Sequence, residues 1–234
     1  MILFCLPYAG GSGSIYHRWR NYLDSSINLY PIELKGRGRR FNEPFYESFE
    51  DAIEDIFNVI KDKVCDDEYV IYGHSMGSLL AYELYYKICN MGFRKPKHMF
   101  FSGHKAPNLK RNKENIHTLS DCDFMKKIIE LGGTPEEILN NNELLEIFTP
   151  ILKNDFKILE KYHYTEKVNK IECNLSVFSG EQDSITLKEL AEWNRHGSGE
   201  STIYIFEGNH FFINNNAENV TNIINRTLCE EKTY

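Results

Sequence analysis

From Asp67 to Ile88 the chain reads DEYVIYGHSMGSLLAYELYYKI, and this stretch constrains the fold more than any other. A β-branched and aromatic run, Tyr69 to Tyr72, passes within a few residues into an amphipathic helical pattern, Ser78 to Met91. Gly73 and Gly77 relieve the crowding at that corner, and Ser75 stands midway between them. A strand that turns directly into a helix belongs in a parallel sheet covered by helices. The spacing Gly-x-Ser-x-Gly in this setting predicts a sharp elbow, with Ser75 in a strained turn and the N–H of Met76 aimed where an oxyanion would form. The plainer alternative is a serine in an ordinary turn.

The rest of the chain fits the same architecture. Strand patterns run over Ile2 to Leu6, Leu29 to Leu34, His98 to Ser102, Leu175 to Ser179 and Thr202 to Phe206, alternating with helical patterns near Tyr16 to Leu23, Phe49 to Val64, Thr186 to Asn194 and Ala217 to Leu228. From Pro107 to Glu166 no strand pattern occurs. That segment holds DCDFMKKIIELGG and EEILNNNELLEIFTPILKNDFKILEKY, with GGTP as the break between them. Residues 1–106 and 167–234 are therefore expected to form an α/β core of mostly parallel strands, and 107–166 an inserted helical lid over the strand ends, where open α/β sheets place ligands. The apolar residues Phe124, Ile128, Leu145, Phe148 and Phe156 are the candidates to line the space beneath it.

A nucleophilic serine needs a base, and the base an orienting acid. His210, in EGNHFF, lies in a loop just past the last strand pattern, a placement that none of His17, His74, His98, His104, His117, His163 or His196 shares. Asp183, in SGEQDS, follows the preceding strand, with Glu181 as a competing carboxylate in the same loop. The order Ser75, Asp183, His210 is nucleophile, acid, base. After the first strand comes LPYAGGSGS, which lacks both the GK[ST] ending of a P-loop and the third Gly of GxGxxG. It suits the second half of an oxyanion hole, with Ala9 N–H beside Met76 N–H, or else a plain Gly-rich turn.

A formal charge of −7 argues against general nucleic-acid binding, although KGRGRR at 35–40 and KRNK at 110–113 are local basic clusters. The first apolar run, MILFCLP, is too short for a signal peptide or a membrane span, and a cytoplasmic, monomeric enzyme is expected. The six cysteines form no CxxC pair and no metal-ligand spacing, so free buried thiols and no metal are expected.

Taken together, LPYAGGSGS, GRGRR, YGHSMGSLLAYEL, SGHKAP, GGTP, SGEQD and GNHFFI, in this order from residue 6 to 213, resemble the type II thioesterases, stand-alone α/β-hydrolases that accompany nonribosomal peptide and polyketide synthetases. The resemblance implies the α/β-hydrolase fold with a helical lid, and hydrolysis of acyl groups from the phosphopantetheine arm of carrier proteins without a metal or organic cofactor. For such a partner, Lys35, Arg37, Arg39, Arg40 and Lys105, with Lys110 and Arg111, are the candidate carrier contacts; the plainer alternative is dispersed surface charge, or an Arg that only braces its own loop. The chain departs from the family pattern at Lys35, Lys105 and Asn209, where Pro, Arg and Gly are usual. A general carboxylesterase or acyl-CoA thioesterase, an acyltransferase or cyclase, and a catalytically inactive binding protein on the same fold are the other readings.

Overall fold

The computed structural model describes residues 1–110, 114–131 and 141–230; Arg111 and GGTP lie outside them. Strands β1 (Ile2–Leu6), β2 (Asn28–Pro31), β3 (Tyr69–His74), β4 (His98–Ser102), β5 (Asn174–Gly180) and β6 (Ser201–Phe206) form one sheet in the order β2-β1-β3-β4-β5-β6. All five neighbouring pairs are parallel. Parallel neighbours require crossovers, so both faces are covered. In β1, Ile2, Phe4 and Leu6 face a layer built with α1 (Phe49–Asp66) and α2 (Met76–Asn90). Leu3 and Cys5 face the other layer, where Tyr16 and Trp19 of a 3-10 helix (Gly13–Asn21) meet Val220 and Ile224 near the C terminus.

Local chemistry explains the elements. Helix α1 starts where the Ser48 side chain accepts the Asp51 N–H, and Ala52, Ile53, Ile56, Phe57, Ile60 and Val64 then recur at helical spacing on its buried face. The pattern at Tyr16 to Leu23 falls largely within a 3-10 helix, Gly13–Asn21, which starts where the Ser12 side chain accepts the Ser14 N–H. The expected strand to Leu34 ends sooner. Ile32 N–H still reaches the Cys5 carbonyl, but the Glu33 side chain then turns in to hold Ser12 and Gly13.

Between β4 and β5 the described residues contain no strand. They hold a 3-10 turn (Ile116–Thr118), α3 (Asp121–Leu131) and α4 (Asn142–Lys161). Ile116, Phe124, Ile128 and Leu152 make a small separate core, with Phe148 and Phe156 against it, while Ile158 joins the main core. Beyond β5 the expected helix from Thr186 splits into α5 (Leu187–Ala191), capped by Thr186 and Glu189, and a 3-10 turn (Glu192–Arg195); α6 (Ala217–Glu230) follows β6. The cysteines are free, but the expected burial fails: only Cys5 is buried, and Cys65, Cys122 and Cys229, each one residue from a helix end, are exposed. No helix among the described residues is long and apolar enough to cross a membrane.

The strand order reverses between β1 and β3. This switch point opens a crevice at the carboxyl ends of those two strands, and the loops that leave them carry Ala9 and Ser75.

Candidate active site

Ser75 sits between β3 and α2 with φ +54° and ψ −115°, the sole non-glycine at positive φ among the described residues. Such backbone costs about 1–3 kcal/mol and needs strong restraint. Its N–H donates to the Ser102 carbonyl at 2.7 Å, and Ser78 N–H donates to the Ser75 carbonyl at 2.9 Å. Ser78 adds a latch that the sequence reading missed. Its buried Oγ lies 2.8 Å from both the Gly73 and Ser102 carbonyls and accepts Ser102 N–H at 3.0 Å, joining α2 to β3 and β4.

The ends of β5 and β6 bring the other two groups together. Past the ladder, Glu181 N–H donates to the Phe206 carbonyl and Gln182 N–H to the Gly208 carbonyl, so the two loops run side by side. A Cβ on Gly180 would lie 2.4 Å from the Gly208 and Asn209 carbonyl oxygens, so this approach requires glycine. His210 Nδ1 is 2.8 Å from Asp183 Oδ2, and Nε2 is 2.9 Å from Ser75 Oγ. A carboxylate can only accept, so Nδ1 carries the proton and Nε2 is left to accept the Ser75 hydroxyl. The Asp183 side chain is 3% exposed and that of His210 28%. Glu181 is exposed, and its side chain makes no hydrogen bond to His210. Asn209 closes the loop by accepting Phe211 N–H on its side chain at 2.9 Å.

His74 lies directly beneath, fully buried, with its ring centre 5.3 Å from that of His210. Its Nδ1 meets Ser102 Oγ at 2.8 Å, and its Nε2 faces the His210 main chain without completing a well-formed hydrogen bond. Burial, and secondarily the neighbouring His210, hold its pKa well below that of a free imidazole. It therefore stays neutral and adds no positive charge beneath His210.

Beside Ser75, the backbone N–H groups of Met76 and Ala9 have no acceptor among the described residues. Met76 N–H is at the first position of α2, where no intrahelical partner exists. Ala9 N–H belongs to the turn after β1, in which Gly10, Gly11 and Gly13 each donate to a protein oxygen. Ala9 and Ser75 line the same cavity of about 610 Å³, with Asp183 and His210 on its wall.

Of the expected lid contacts, Ile128, Phe148 and Phe156 line this cavity, and Leu152 and Leu159 join them. Phe124 and Leu145 do not. Phe124 is spent inside the segment, edge-on to Phe156 at 5.7 Å, and Leu145 lies on a turn of α4 away from the cavity.

The basic cluster needs a larger correction. Arg37 is 3% exposed and pairs both ways with the fully buried Asp155, with each N–O distance 2.6 Å, so it is no surface cation. Arg40 is saturated by Glu43 and Asp55, which raise its pKa further, and Lys35 lies 3.7 Å from the same Asp55. Arg39 and Lys110 are exposed. Lys105 lines the cavity mouth 3.4 Å from Glu189.

Known proteins place this geometry in a family. A model described as "Thioesterase domain" matches residues 1–228. The chain is 36% identical to the linear gramicidin dehydrogenase LgrE of Brevibacillus parabrevis, over 97% of this chain and 88% of that one. It is 32% identical to thioesterase PikA5 of Streptomyces venezuelae, over 97% and 80% of the two chains. The crystal structure of ClbQ from the colibactin NRPS/PKS pathway superposes with a TM-score of 0.96 at 35% identity, covering 99% of this chain and 98% of that one. The chain belongs to the thioesterase family, hydrolases that act on thioesters.

Proposed function

We propose that this chain is an editing thioesterase that releases acyl groups from the phosphopantetheine arm of carrier proteins in a nonribosomal peptide or polyketide pathway. The observation that carries the reading is the Asp183, His210 and Ser75 relay at the wall of an apolar cavity roofed by α3 and α4. Ser75 attacks the thioester carbonyl while His210 Nε2 takes its proton, and Asp183 holds the imidazole tautomer and stabilises the imidazolium. Met76 and Ala9 N–H receive the oxyanion, each such donor being worth about 3 kcal/mol. The thiol leaves with a proton from His210, and water activated by the same imidazole hydrolyses the acyl-enzyme. No step requires a metal or an organic cofactor.

LgrE is named a dehydrogenase, but here the loop after β1 is poorly suited to a dinucleotide. Its N–H groups at Gly10 and Gly13 already donate to the carboxylates of Asp155 and Glu33, where a pyrophosphate would be repelled.

Contacts remote from the carbonyl supply binding energy that favours the full donor. One acyl group is therefore expected to leave fastest from a carrier protein, more slowly from coenzyme A and slowest from N-acetylcysteamine. With Lys35, Arg37 and Arg40 neutralised internally, the carrier's advantage is expected to change by less than about threefold between low and high salt. Turnover of the three donors at two ionic strengths checks this; equal rates, or an oxygen ester ahead of every thioester, would favour the general esterase.

The cavity wall sets a second expectation, that residues 107–166 act as a lid over the acyl chain. Phe148→Ala and Phe156→Ala are expected to shift kcat/KM toward longer acyl groups, because each opens space along the channel, whereas Leu145→Ala leaves the profile unchanged. A uniform loss across chain lengths would assign these residues to stability instead.

A further inference from the structure

The apolar stripe of α4 is broken by Asp155, whose carboxylate is buried against the turn that follows β1. Asp155 Oδ2 accepts Gly10 N–H at 2.7 Å and shares Arg37 with Oδ1, and Arg37 in turn donates to the Gly11 carbonyl at 3.2 Å. These two contacts grip both sides of one turn. Gly11 N–H donates to the Tyr8 carbonyl at 2.8 Å, and Gly10 has φ +77°, the third-position glycine of a type II turn. A type II turn differs from a type I turn by a flip of its central peptide, here Ala9–Gly10, and the Gly10 N–H held by Asp155 belongs to that peptide. The Tyr8 carbonyl held inside the turn shares a trans peptide plane with Ala9 N–H, so fixing one aims the other the opposite way. Leu152 of α4 also sits on this turn, its Cδ2 only 2.5 Å from where a Cβ on Gly10 would be.

We propose that Arg37 and Asp155 are positioning residues for thioester hydrolysis: they lock the Tyr8–Gly11 turn so that Ala9 N–H faces the oxyanion, and they make that donor depend on the docking of α4. The inference rests on the serine-hydrolase reading of Ser75 and adds residues that touch neither substrate nor the Ser75 relay. A pair kept only for stability would be replaceable by apolar side chains of similar size without loss, as buried ion pairs often are. A positioning pair would not.

The test compares wild type, the double variant Arg37→Met/Asp155→Leu and the single variant Asp155→Asn. Active serine is titrated with a fluorophosphonate, and kcat and KM per titrated site are measured on an acyl N-acetylcysteamine thioester. The affinity for an alkyl trifluoromethyl ketone, which forms a tetrahedral oxyanion on serine, is measured alongside Tm. The double variant, which takes these partners from Gly10 N–H and the Gly11 carbonyl, is expected to fold with a lowered Tm while kcat per site falls about 10- to 100-fold, KM stays within about twofold, and ketone affinity falls by the same factor as kcat. Asp155→Asn, which keeps the volume and changes only the charge and one acceptor, is expected to lose at least about tenfold in kcat per site. If both variants keep wild-type kcat per site and ketone affinity, with losses confined to Tm or to the titrated fraction, the proposal is overturned; should the double variant fail to fold, Asp155→Asn decides alone. Failure of the wild-type serine to react would instead remove the serine-hydrolase reading beneath it.

Discussion

Ser75→Ala is expected to lower kcat by about 10⁵- to 10⁶-fold, with His210→Ala close behind and the double variant little worse than either. The near-equality follows from the geometry. Nε2 accepts the Ser75 hydroxyl at 2.9 Å, so without His210 the hydroxyl has no base, and without Ser75 the base has no proton to take. Asp183→Asn is expected to cost about 10⁴-fold, because an amide can donate to Nδ1 and trap the tautomer that leaves Nε2 protonated. Glu181→Gln should change kcat by less than about twofold, since that side chain is exposed and makes no hydrogen bond to His210. Thiol release per folded protein, measured in parallel for the four single variants and the double variant, reads all of this. A large loss in Glu181→Gln with Asp183→Asn near wild type would transfer the acid role to Glu181, and a Ser75→Ala protein with normal turnover would end the covalent mechanism.

The elbow was legible because its determinants are local: β3, Gly73, Ser75, Gly77 and α2 fall within one short window, and no distant residue is needed to predict the turn. The choice between Asp183 and Glu181 is different. Both occupy one loop, and what separates them is the main-chain pairing of Gln182 with Gly208, a contact between two strands' exits that no local pattern encodes. The run KGRGRR misleads for a related reason. Four cations in six residues read as a surface patch, but the partner that buries Arg37 lies 118 residues away on α4. A signal for that partner does exist. In FTPILKNDFKILEKY, Asp155 stands three residues from Leu152 and Ile158 and four from Ile151, squarely on the apolar face of a helix, and a carboxylate there must be paired. Ser78 carries a similar signal, a hydroxyl just before Leu79, Leu80 and Ala81 at the start of a helix whose first residues, Met76 to Tyr82, are all buried, where bare carbonyls of adjacent strands are near.

Gly77→Ala is expected to be a strongly damaging methyl addition, and its effect should reach catalysis as well as stability. A Cβ on Gly77 would stand 2.2 Å from the Leu6 carbonyl oxygen, 2.8 Å from its carbon and 2.9 Å from the Pro7 carbonyl oxygen. These are main-chain atoms of β1 and its exit, so no side-chain rotation relieves the clash, and α2 must move away from β1. Overpacking of this kind costs about 3 kcal/mol or more, which for a chain of this size lowers Tm by about 10 °C. The same displacement separates the two halves of the proposed oxyanion hole, because Met76 N–H rides on α2 while Ala9 N–H follows the exit of β1. An error of about 1 Å there is worth roughly 10² in rate, so the folded fraction of Gly77→Ala should hydrolyse thioesters at least that much more slowly, even well below its Tm. Gly92→Ala is the matched control. Its φ is +75°, but a Cβ there meets nothing within 4 Å, so it should cost only about 1–2 kcal/mol of backbone strain and leave turnover per folded molecule unchanged. Thermal unfolding and kcat per titrated serine for the two variants separate the contributions. Wild-type values in Gly77→Ala would mean that α2 and β1 tolerate a wider gap, and that the position of Met76 N–H relative to Ala9 N–H does not control the reaction.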